Sequence, residues 1–539
     1  MISRRHLLTT AGLAGTTAGL AAFTGCSAPA APDAGPASPG QSAAVPDNRH
    51  QVVAATPSGD LVLPLDADGA LAVSRALLAA ATVVVIVDPK EATPDAEATA
   101  TPDAEATATP TATATATPSP SPVPREAAAT VARELGVPLF VNAPETAGEL
   151  TAELDRLQTR AVISYASSDL AVGDRTVVPG PATADALGLD DLPVVRAEPA
   201  AVLALASGEL SEPVTLVLAA AGLTATPLVG PHPGVDAAST AAVRDHDGPV
   251  VALGDGFGTD EQFAGQVSVT RTAEELPGGG MAPFPVRHMI ALYGHPETPA
   301  LGMMGEQPPA EAVTRLNRLV EQYRELLPDN QVIGSFEIIA TVASAAAGEQ
   351  GDYSYRTPIP TLMPWIEAAE ANDIYVVLDL QPGRTDFLTQ AKEYEELLLR
   401  PTVGLALDPE WRLRPDQRHL RQIGQVGVDE INEVTGWLAD LVAEHGLPPK
   451  VLTLHQFQTR MITERHRLDT SRPEVQHLVH VDGQGGQAAK QGTWGVIQRD
   501  LPSHTFLGWK NFEDEDVPML TPAQTVDQVH PTPHFVSYQ

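Results

Sequence analysis

One predicted strand end in the C-terminal half carries two carboxylates and a tryptophan in close succession. The run reads Gly404-Leu-Ala-Leu-Asp408-Pro-Glu410-Trp411, so an apolar strand stops at ionisable groups. Carboxylates two residues apart at a strand end can face one cleft, and a neighbouring indole raises a carboxyl pKa by excluding water. A carboxyl kept protonated in this way is the general acid that glycoside cleavage requires. We therefore predict Glu410 as a catalytic acid, with Asp408 or Asp379 as its partner.

The same run resembles the end of the Asp-x-Asp-x-Glu strand of chitinase-like barrels. This resemblance implies that Glu410 protonates the leaving oxygen and that Asp408 orients an N-acetyl group. Ala406 stands where the first Asp of that pattern would be. The alternative interpretation is a Pro-containing loop whose charges are simply solvated.

Polar residues follow the other apolar runs of this half in the same way. If those runs are strands of one barrel, their ends converge on one mouth, where the substrate of such a barrel binds. Two tryptophans, Trp411 and Trp509, would then offer stacking surfaces for sugar rings. The predicted substrate-binding residues are Tyr293, His295, Glu337, Trp411, His455, Asp482, Trp509 and Lys510.

Metal binding is the competing chemistry for this mouth. Ligand types are present, but no His-x-His or His-Glu-x-x-His spacing accompanies them. His477 and His480 lie three apart in a predicted strand, so they would face opposite sides. The sequence therefore predicts neither a bound metal nor another cofactor.

Eight strand-like runs alternate with mostly helical stretches in the second half, residues 281–539. Eight βα units in about 250 residues is the size of a (β/α)8 TIM-type barrel, and a seven-stranded open sheet is the main rival. The predicted helices cover 310–327, 362–371 and 429–445. The predicted strands are 287–292, 331–338, 374–378, 403–407, 451–454, 475–481, 493–497 and 505–508.

The first half, residues 48–275, is expected to be a separate α/β domain with a largely parallel sheet. Val83 to Val87 is a continuous β-branched run, which is typical of a strand buried on both faces. A helical pattern with Leu150, Leu154 and Leu157 on one face follows, and Val214 to Leu218 is a later strand-like run. The Thr/Pro-rich tract 91–124 looks like a loop inserted into this domain.

Part of this first half resembles one unit of the bacterial cell wall-binding repeat type 2. The matching stretch runs from Leu135-Gly-Val-Pro-Leu-Phe-Val-Asn-Ala-Pro144 through the helix of Thr146 to Leu157 to Thr159-Arg-Ala-Val-Ile-Ser164. Residues 83–89 and 250–258 resemble parts of further units, whereas Tyr165-Ala166 replaces the glycine pair of the pattern. The resemblance implies binding to the envelope of Gram-positive bacteria. The whole layout resembles actinobacterial surface lipoproteins that pair such a domain with a barrel.

The N-terminus is predicted to be an export signal, residues 1–26, followed by a flexible tether, residues 27–47. Arg4-Arg5 before an apolar, Gly/Ala-rich stretch resembles a twin-arginine signal, although the general secretory route stays open. Phe23-Thr24-Gly25-Cys26 resembles a lipobox, which implies lipid on Cys26 and a membrane anchor. A plain secretory signal is the alternative.

Charge and cysteine content exclude other classes of protein. With 33 Lys plus Arg against 68 Asp plus Glu, the formal charge of −35 argues against binding nucleic acid through its phosphates. One cysteine excludes an internal disulfide framework. We expect a lipid-anchored protein on the extracytoplasmic face of the membrane, whose barrel binds or hydrolyses a wall glycan or other polysaccharide. The alternatives are a non-catalytic envelope scaffold or adhesin and a solute-binding lipoprotein.

Overall fold

The computed structural model describes residues 49–65, 69–89, 125–166, 170, 172–188, 194–196 and 198–539. The predicted signal with Cys26, the tether 27–47 and the insertion 91–124 lie outside the described residues. Among the described helices, none combines the length and the apolar character that a membrane crossing requires. The described residues from 49 onwards form one compact unit, and the predicted domain division near residue 281 stays a prediction.

The first part of the chain contains eleven strands and six helices within the described residues. Two of its sheets are four-stranded and all-parallel, in the orders β5-β4-β6-β7 and β10-β9-β11-β2, and a third pairs β3, β1 and β8. The elements are β1 (Gln51–Ala54), β2 (Leu61–Leu63), α1 (Gly69–Leu77), β3 (Leu78–Ala81), β4 (Val83–Val87), α2 (Arg125–Leu135), β5 (Leu139–Val141), α3 (Ala147–Arg156), β6 (Ala161–Ser164), β7 (Thr176–Pro179), β8 (Val195–Arg196), β9 (Leu203–Ser207), α4 (Glu212–Ala220), β10 (Thr226–Leu228), α5 (Ala237–Arg244), β11 (Val250–Leu253) and α6 (Asp260–Thr272).

The second part of the chain is a barrel surrounded by helices. Eight of its strands are parallel, and short antiparallel β14 extends the end of β13. The elements are β12 (Arg287–Gly294), α7 (Pro309–Leu326), β13 (Gln331–Ala343), β14 (Ser354–Arg356), α8 (Ile359–Glu370), β15 (Ile374–Leu380), α9 (Phe387–Glu393), α10 (Glu395–Leu398), β16 (Val403–Leu407), β17 (Val426–Gly427), α11 (Val428–His445), β18 (Lys450–His455), β19 (Ile462–Thr463), β20 (Val475–Val481), α12 (Gln487–Ile497), β21 (Thr505–Asn511), α13 (Pro522–Gln528) and β22 (Phe535–Tyr538).

The barrel closes without an edge. Its strand order is β12-β22-β21-β20-β18-β16-β15-β13, and β12 also pairs with β13. The last strand, β22, lies between β12 and β21 and completes the ring. The predicted TIM-type barrel is therefore confirmed, and the open seven-stranded sheet is excluded.

Alternation along each strand divides the core into two layers. Side chains such as Tyr375, Val451 and Phe535 fill the inside of the barrel, while their strand neighbours face the helices. His477 and His480 illustrate the rule, because His477 hydrogen-bonds Thr435 on α11 and His480 faces the interior. The prediction that these two histidines face opposite sides is confirmed.

Two strand predictions are wrong for the same physical reason. Residues 493–497 belong to α12, where Lys490, Trp494 and Ile497 are buried at helical spacing. Residues 214–218 belong to α4, which follows Ser211 and has Pro213 near its first turn. In both cases β-branched residues predict a strand, but burial of one face of a helix stabilises the helical conformation instead.

Candidate active site

Eight ionisable or phenolic side chains meet inside the barrel at the carboxyl ends of its strands. Seven strands supply them, either from the strand itself or from the residue that follows it. All are buried except Asp482, whose side chain is 9% exposed. We call this group the mouth cluster: Tyr293, Glu337, Asp379, Asp408, His455, His480, Asp482 and Lys510.

Strand alternation explains why these residues converge. In β20, Leu478 faces the barrel interior, so His480 and Asp482 follow on the same side at intervals of two. In β15, Val377 faces the interior and Asp379 comes next on that side. The inward-facing side chains thus change from apolar to polar towards the carboxyl ends of the strands, where TIM-type barrels carry their active sites.

Glu337 lies at the centre of the cluster between two histidines. His455 Nε2 is 3.0 Å from Glu337 Oε1, and His480 Nδ1 is 3.3 Å from the same oxygen. Strands β13 and β20 lie on opposite sides of the barrel, so the contact between Glu337 and His480 crosses its interior. The atoms are close but not aligned for hydrogen bonding, and among the described residues neither Glu337 oxygen nor either facing nitrogen has a hydrogen-bond partner.

The remaining contacts hold this centre in place. His455 Nδ1 is 2.9 Å from Asp482 Oδ2. The hydroxyl of Tyr293 donates to Asp379 Oδ2 at 2.8 Å, and Asp379 Oδ1 lies 3.8 Å from His455 Nε2 without a hydrogen-bond partner of its own. Lys510 Nζ lies 3.2 Å from the centre of the Tyr293 ring, a cation–π arrangement.

Asp408 and Glu410 occupy the turn after β16. Asp408 Oδ1 accepts the backbone N–H of Glu410 at 3.1 Å, which caps the short turn from Pro409 to Trp411. Asp408 is buried, whereas Glu410 is partly exposed at the rim of the barrel. The two carboxyl groups therefore stand in different environments although they are two residues apart.

Burial keeps three carboxyl groups of the site protonated to unusually high pH. Burial, reinforced by the charge of Asp482, raises the pKa of Glu410 to about 7. Burial raises the pKa of Asp379 to about 6 and that of Asp408 well above its ordinary value. Such shifts at a strand end are typical of residues that transfer protons.

The pKa values of Glu337 and His455 are shifted in the directions that keep both groups charged. Burial would raise the pKa of Glu337, but the neighbouring His480 and His455 hold it well below its ordinary value. Burial would lower the pKa of His455, but Asp379 and Glu337 raise it well above its ordinary value. Without another cation in the centre, Glu337 is therefore ionised and His455 protonated.

Four predicted site residues do not join the mouth cluster, and one of them is Glu410 at the rim of the barrel. His295 Nε2 is 2.9 Å from Thr357 Oγ1, and its Nδ1 accepts a backbone N–H. Trp411 lies half-buried at the rim, with its ring 5.5 Å from that of His419. Trp509 faces outward against Trp494 of α12. The prediction that Trp509 is a stacking surface is wrong, because alternation in β21 turns Gly508 and Lys510 inward and Trp509 away.

His480 is the cluster member that sequence reasoning left out. It lies within β20 rather than at the strand end, where polar residues were sought. The signal was present nevertheless, because His480 stands two residues before Asp482 and so shares its face. One ligand atom each from His480, Glu337 and His455 lies within 4.8 Å of the others, close enough to hold a metal ion.

Two cavities in the described part of the chain lie at the opposite end of the barrel. Cavities of about 730 Å³ and 510 Å³ open around Gly278 and Ile374, near the amino ends of the strands. Neither is lined by a member of the mouth cluster. Conserved chemistry of TIM-type barrels sits at the other end, so the mouth cluster, and not cavity size, identifies the candidate active site.

The fold and the cluster together define an α/β protein with a (β/α)8 barrel and buried acid–base groups at its strand ends. Among known proteins, no family model matches the chain. No curated protein matches it either.

Proposed function

We propose that this protein is an exported, lipid-anchored enzyme whose barrel hydrolyses an extracellular glycan, with Glu410 as the proton donor. The observation that carries the proposal is the placement of Glu410 at the rim, two residues after buried Asp408 and within electrostatic reach of Asp482 and Lys510. A carboxyl held in this way stays protonated near neutral pH and can serve as a general acid.

The chemistry needs a donor and an acceptor of protons on two sides of a glycosidic bond. Glu410 gives its proton to the bridging oxygen as the C–O bond breaks. Asp379, whose pKa of about 6 leaves it ionised near neutral pH, removes a proton from the attacking water, or attacks the anomeric carbon to form a glycosyl ester that water then hydrolyses. Asp408 would take this part only once it has lost its proton, because its pKa lies well above its ordinary value. Asp379 is held by Tyr293, which fixes its orientation inside the barrel.

The loop after β16 supports an acidic glycan as the substrate class. Residues 411–425 contain four arginines and one aspartate, in a chain whose formal charge is −35. Arg412 pairs with Glu430, but no ion pair is found in the described part of the chain for Arg414, Arg418 or Arg421. Guanidinium groups recognise carboxylates and phosphates bidentately, so this loop suits a glycan that carries such groups.

The location of the enzyme is proposed from the sequence alone. The lipobox at Cys26 would place the lipid, and the resemblance of residues 135–164 to a cell wall-binding repeat would place the first part of the chain on the wall. Together they would keep the barrel close to envelope polysaccharide.

A second candidate function, binding without catalysis, is favoured by one observation. The contacts of His455 with Glu337 and Asp482 are fully or almost fully buried, as expected of a structural ionic network. In that case the barrel of a scaffold, an adhesin or a solute-binding protein would hold the glycan and release it unchanged.

One experiment separates the two functions. The protein and its Glu410→Gln variant are incubated with purified cell wall and with neutral and acidic labelled oligosaccharides, and both sedimentation and released reducing ends are measured. Asp416→Asn, an exposed carboxylate on the same loop, is the matched control. Hydrolysis by the wild type and Asp416→Asn, but not by Glu410→Gln, supports the enzyme. Sedimentation without release by all three proteins supports the binding protein. If the protein neither sediments with the wall nor releases reducing ends, both functions are rejected.

A further inference from the structure

We propose that Glu337, His455 and His480 bind a divalent transition-metal ion inside the barrel. The acid–base mechanism above uses none of these three groups, so the inference goes beyond the proposed function. It also contradicts the expectation from sequence spacing that the protein holds no metal.

The distances between the ligand atoms fit a shared ion. Metal–nitrogen and metal–oxygen bonds of about 2.0–2.2 Å place neighbouring ligand atoms roughly 3 to 3.5 Å apart. Glu337 Oε1 lies 3.0 Å from His455 Nε2 and 3.3 Å from His480 Nδ1. His455 and His480 lie side by side on the paired strands β18 and β20, and Glu337 reaches them from β13 on the other side of the barrel, so the three atoms do not lie along one strand.

Both histidines are held through their other ring nitrogen. His455 Nδ1 is 2.9 Å from Asp482 Oδ2, and His480 Nε2 is 3.0 Å from Ser537 Oγ. Metal-binding histidines usually donate their second N–H to a carboxylate, carbonyl or hydroxyl, which leaves the first nitrogen with a lone pair for the ion. The outer contacts of this site have that arrangement.

The inner atoms of the site lack partners. In the part of the chain that the structure describes, no hydrogen-bond partner is found for these buried atoms: both carboxylate oxygens of Glu337, the facing nitrogens of His455 and His480, and Oδ1 of Asp379. A buried polar atom without a partner costs about 1–3 kcal/mol, and more when it is charged. One cation would satisfy the Glu337 carboxylate and the two facing imidazole nitrogens together, and Asp379 Oδ1 lies 3.8 Å from His455 Nε2.

The donor set indicates which ions are suitable. Two imidazole nitrogens and a carboxylate favour Zn²⁺, Mn²⁺ or Fe²⁺ over Mg²⁺ and Ca²⁺, which prefer oxygen ligands alone. When bound, such an ion supplies a Lewis acid and lowers the pKa of its water.

The test measures metal binding without any substrate, so its result is independent of glycan hydrolysis. Chelator-treated protein is equilibrated with Zn²⁺, Mn²⁺ or Mg²⁺ alone, and bound metal is counted by elemental analysis while thermal unfolding reports folding. The strand offers a matched pair of variants. His480→Gln removes a proposed ligand, and His477→Gln changes a buried histidine that faces α11.

We expect roughly one Zn²⁺ or Mn²⁺ per chain in the wild type and in His477→Gln, with a higher unfolding temperature in its presence. The metal affinity of His480→Gln should fall by more than the roughly 10–100-fold that loss of an outer contact costs. If His480→Gln does not fold, Ser537→Ala, which removes that outer contact, should weaken binding by about 10-fold or more. Absence of binding to the wild type, equal binding by His480→Gln, or a preference for Mg²⁺ would overturn the proposal.

Discussion

Lys510 of β21 places its ammonium group 3.2 Å from the centre of the Tyr293 ring on β12. The two strands are separated by β22, so this contact spans the inside of the barrel. The same tyrosine donates its hydroxyl to Asp379 Oδ2 at 2.8 Å. Tyr293 therefore links a cation on one side of the mouth to a carboxyl group on the other, and it fixes both by different parts of its side chain.

Tyr293→Phe separates these two roles. The ring under Lys510 is kept, but Asp379 loses the one side-chain donor that the described residues offer it, so we expect the free energy of unfolding to fall by about 1–3 kcal/mol. We also expect slower glycan hydrolysis with little change in KM, because Asp379 loses its orientation. Urea unfolding and steady-state kinetics test this. Tyr323→Phe removes a buried hydroxyl that contacts Tyr538 outside the mouth, and it should leave the hydrolysis rate unchanged.

The rate of hydrolysis should fall as the pH rises through about 7, the pKa of Glu410. A general acid works while protonated and its carboxylate partner Asp379 works while ionised, so kcat/KM should be highest between about pH 6 and 7 and drop about tenfold per pH unit above that range. A pH–rate profile of the wild type measures this limb. Any residual activity of Glu410→Gln should lack it. A rate that increases through pH 7 would show that Glu410 does not act as the acid.

Phe535→Ala should strongly destabilise the protein, because Phe535 lies in the strand that closes the barrel and is completely buried. Removing a buried phenyl ring typically costs about 3–5 kcal/mol. Urea unfolding measures the change. Leu420→Ala changes a side chain that is 87% exposed, and its effect should stay within about 0.5 kcal/mol. If both variants change the free energy of unfolding by the same small amount, β22 contributes little to the stability of the closed barrel.

The titration of buried Lys450 should make the protein more stable as the pH rises above 7. The side chain is fully buried, its Nζ donates to the carbonyls of Arg400 and Val403, and burial lowers its pKa to about 7. The unfolded chain holds this proton up to about pH 10.4, so between the two values the unfolded state binds more protons than the folded one. The free energy of unfolding should therefore increase by up to about 1.4 kcal/mol per pH unit between about pH 7 and 10, a gain lost again as the pH falls towards 7.

Urea unfolding at several pH values measures this slope, and Lys450→Met should reduce it. Lys392→Met, a change at an exposed lysine, is the control and should keep the wild-type slope. An unchanged slope in Lys450→Met would assign the pH dependence to other groups.

The local sequence pattern was sufficient to predict most of the barrel strands. Seven of the predicted strand runs coincide with barrel strands, because each is a short apolar run followed by a polar residue. The eighth strand, Phe535 to Tyr538, was missed because four residues at the chain end carry little pattern of their own. Its identity depends on pairing with β12 and β21. Residues 493–497 have the β-propensity of a strand, but the structure buries one face of a helix there, so these residues belong to α12.

The site divides in the same way between sequence and tertiary structure. The amino-acid sequence determined which ionisable residues end each strand, since Asp379, Asp408 and His455 each follow an apolar run. The closed barrel alone decided which side chains meet. It turned Trp509 outward and brought His480 to Glu337 across the interior, because strand alternation and ring closure set direction and distance between residues that are far apart in the chain.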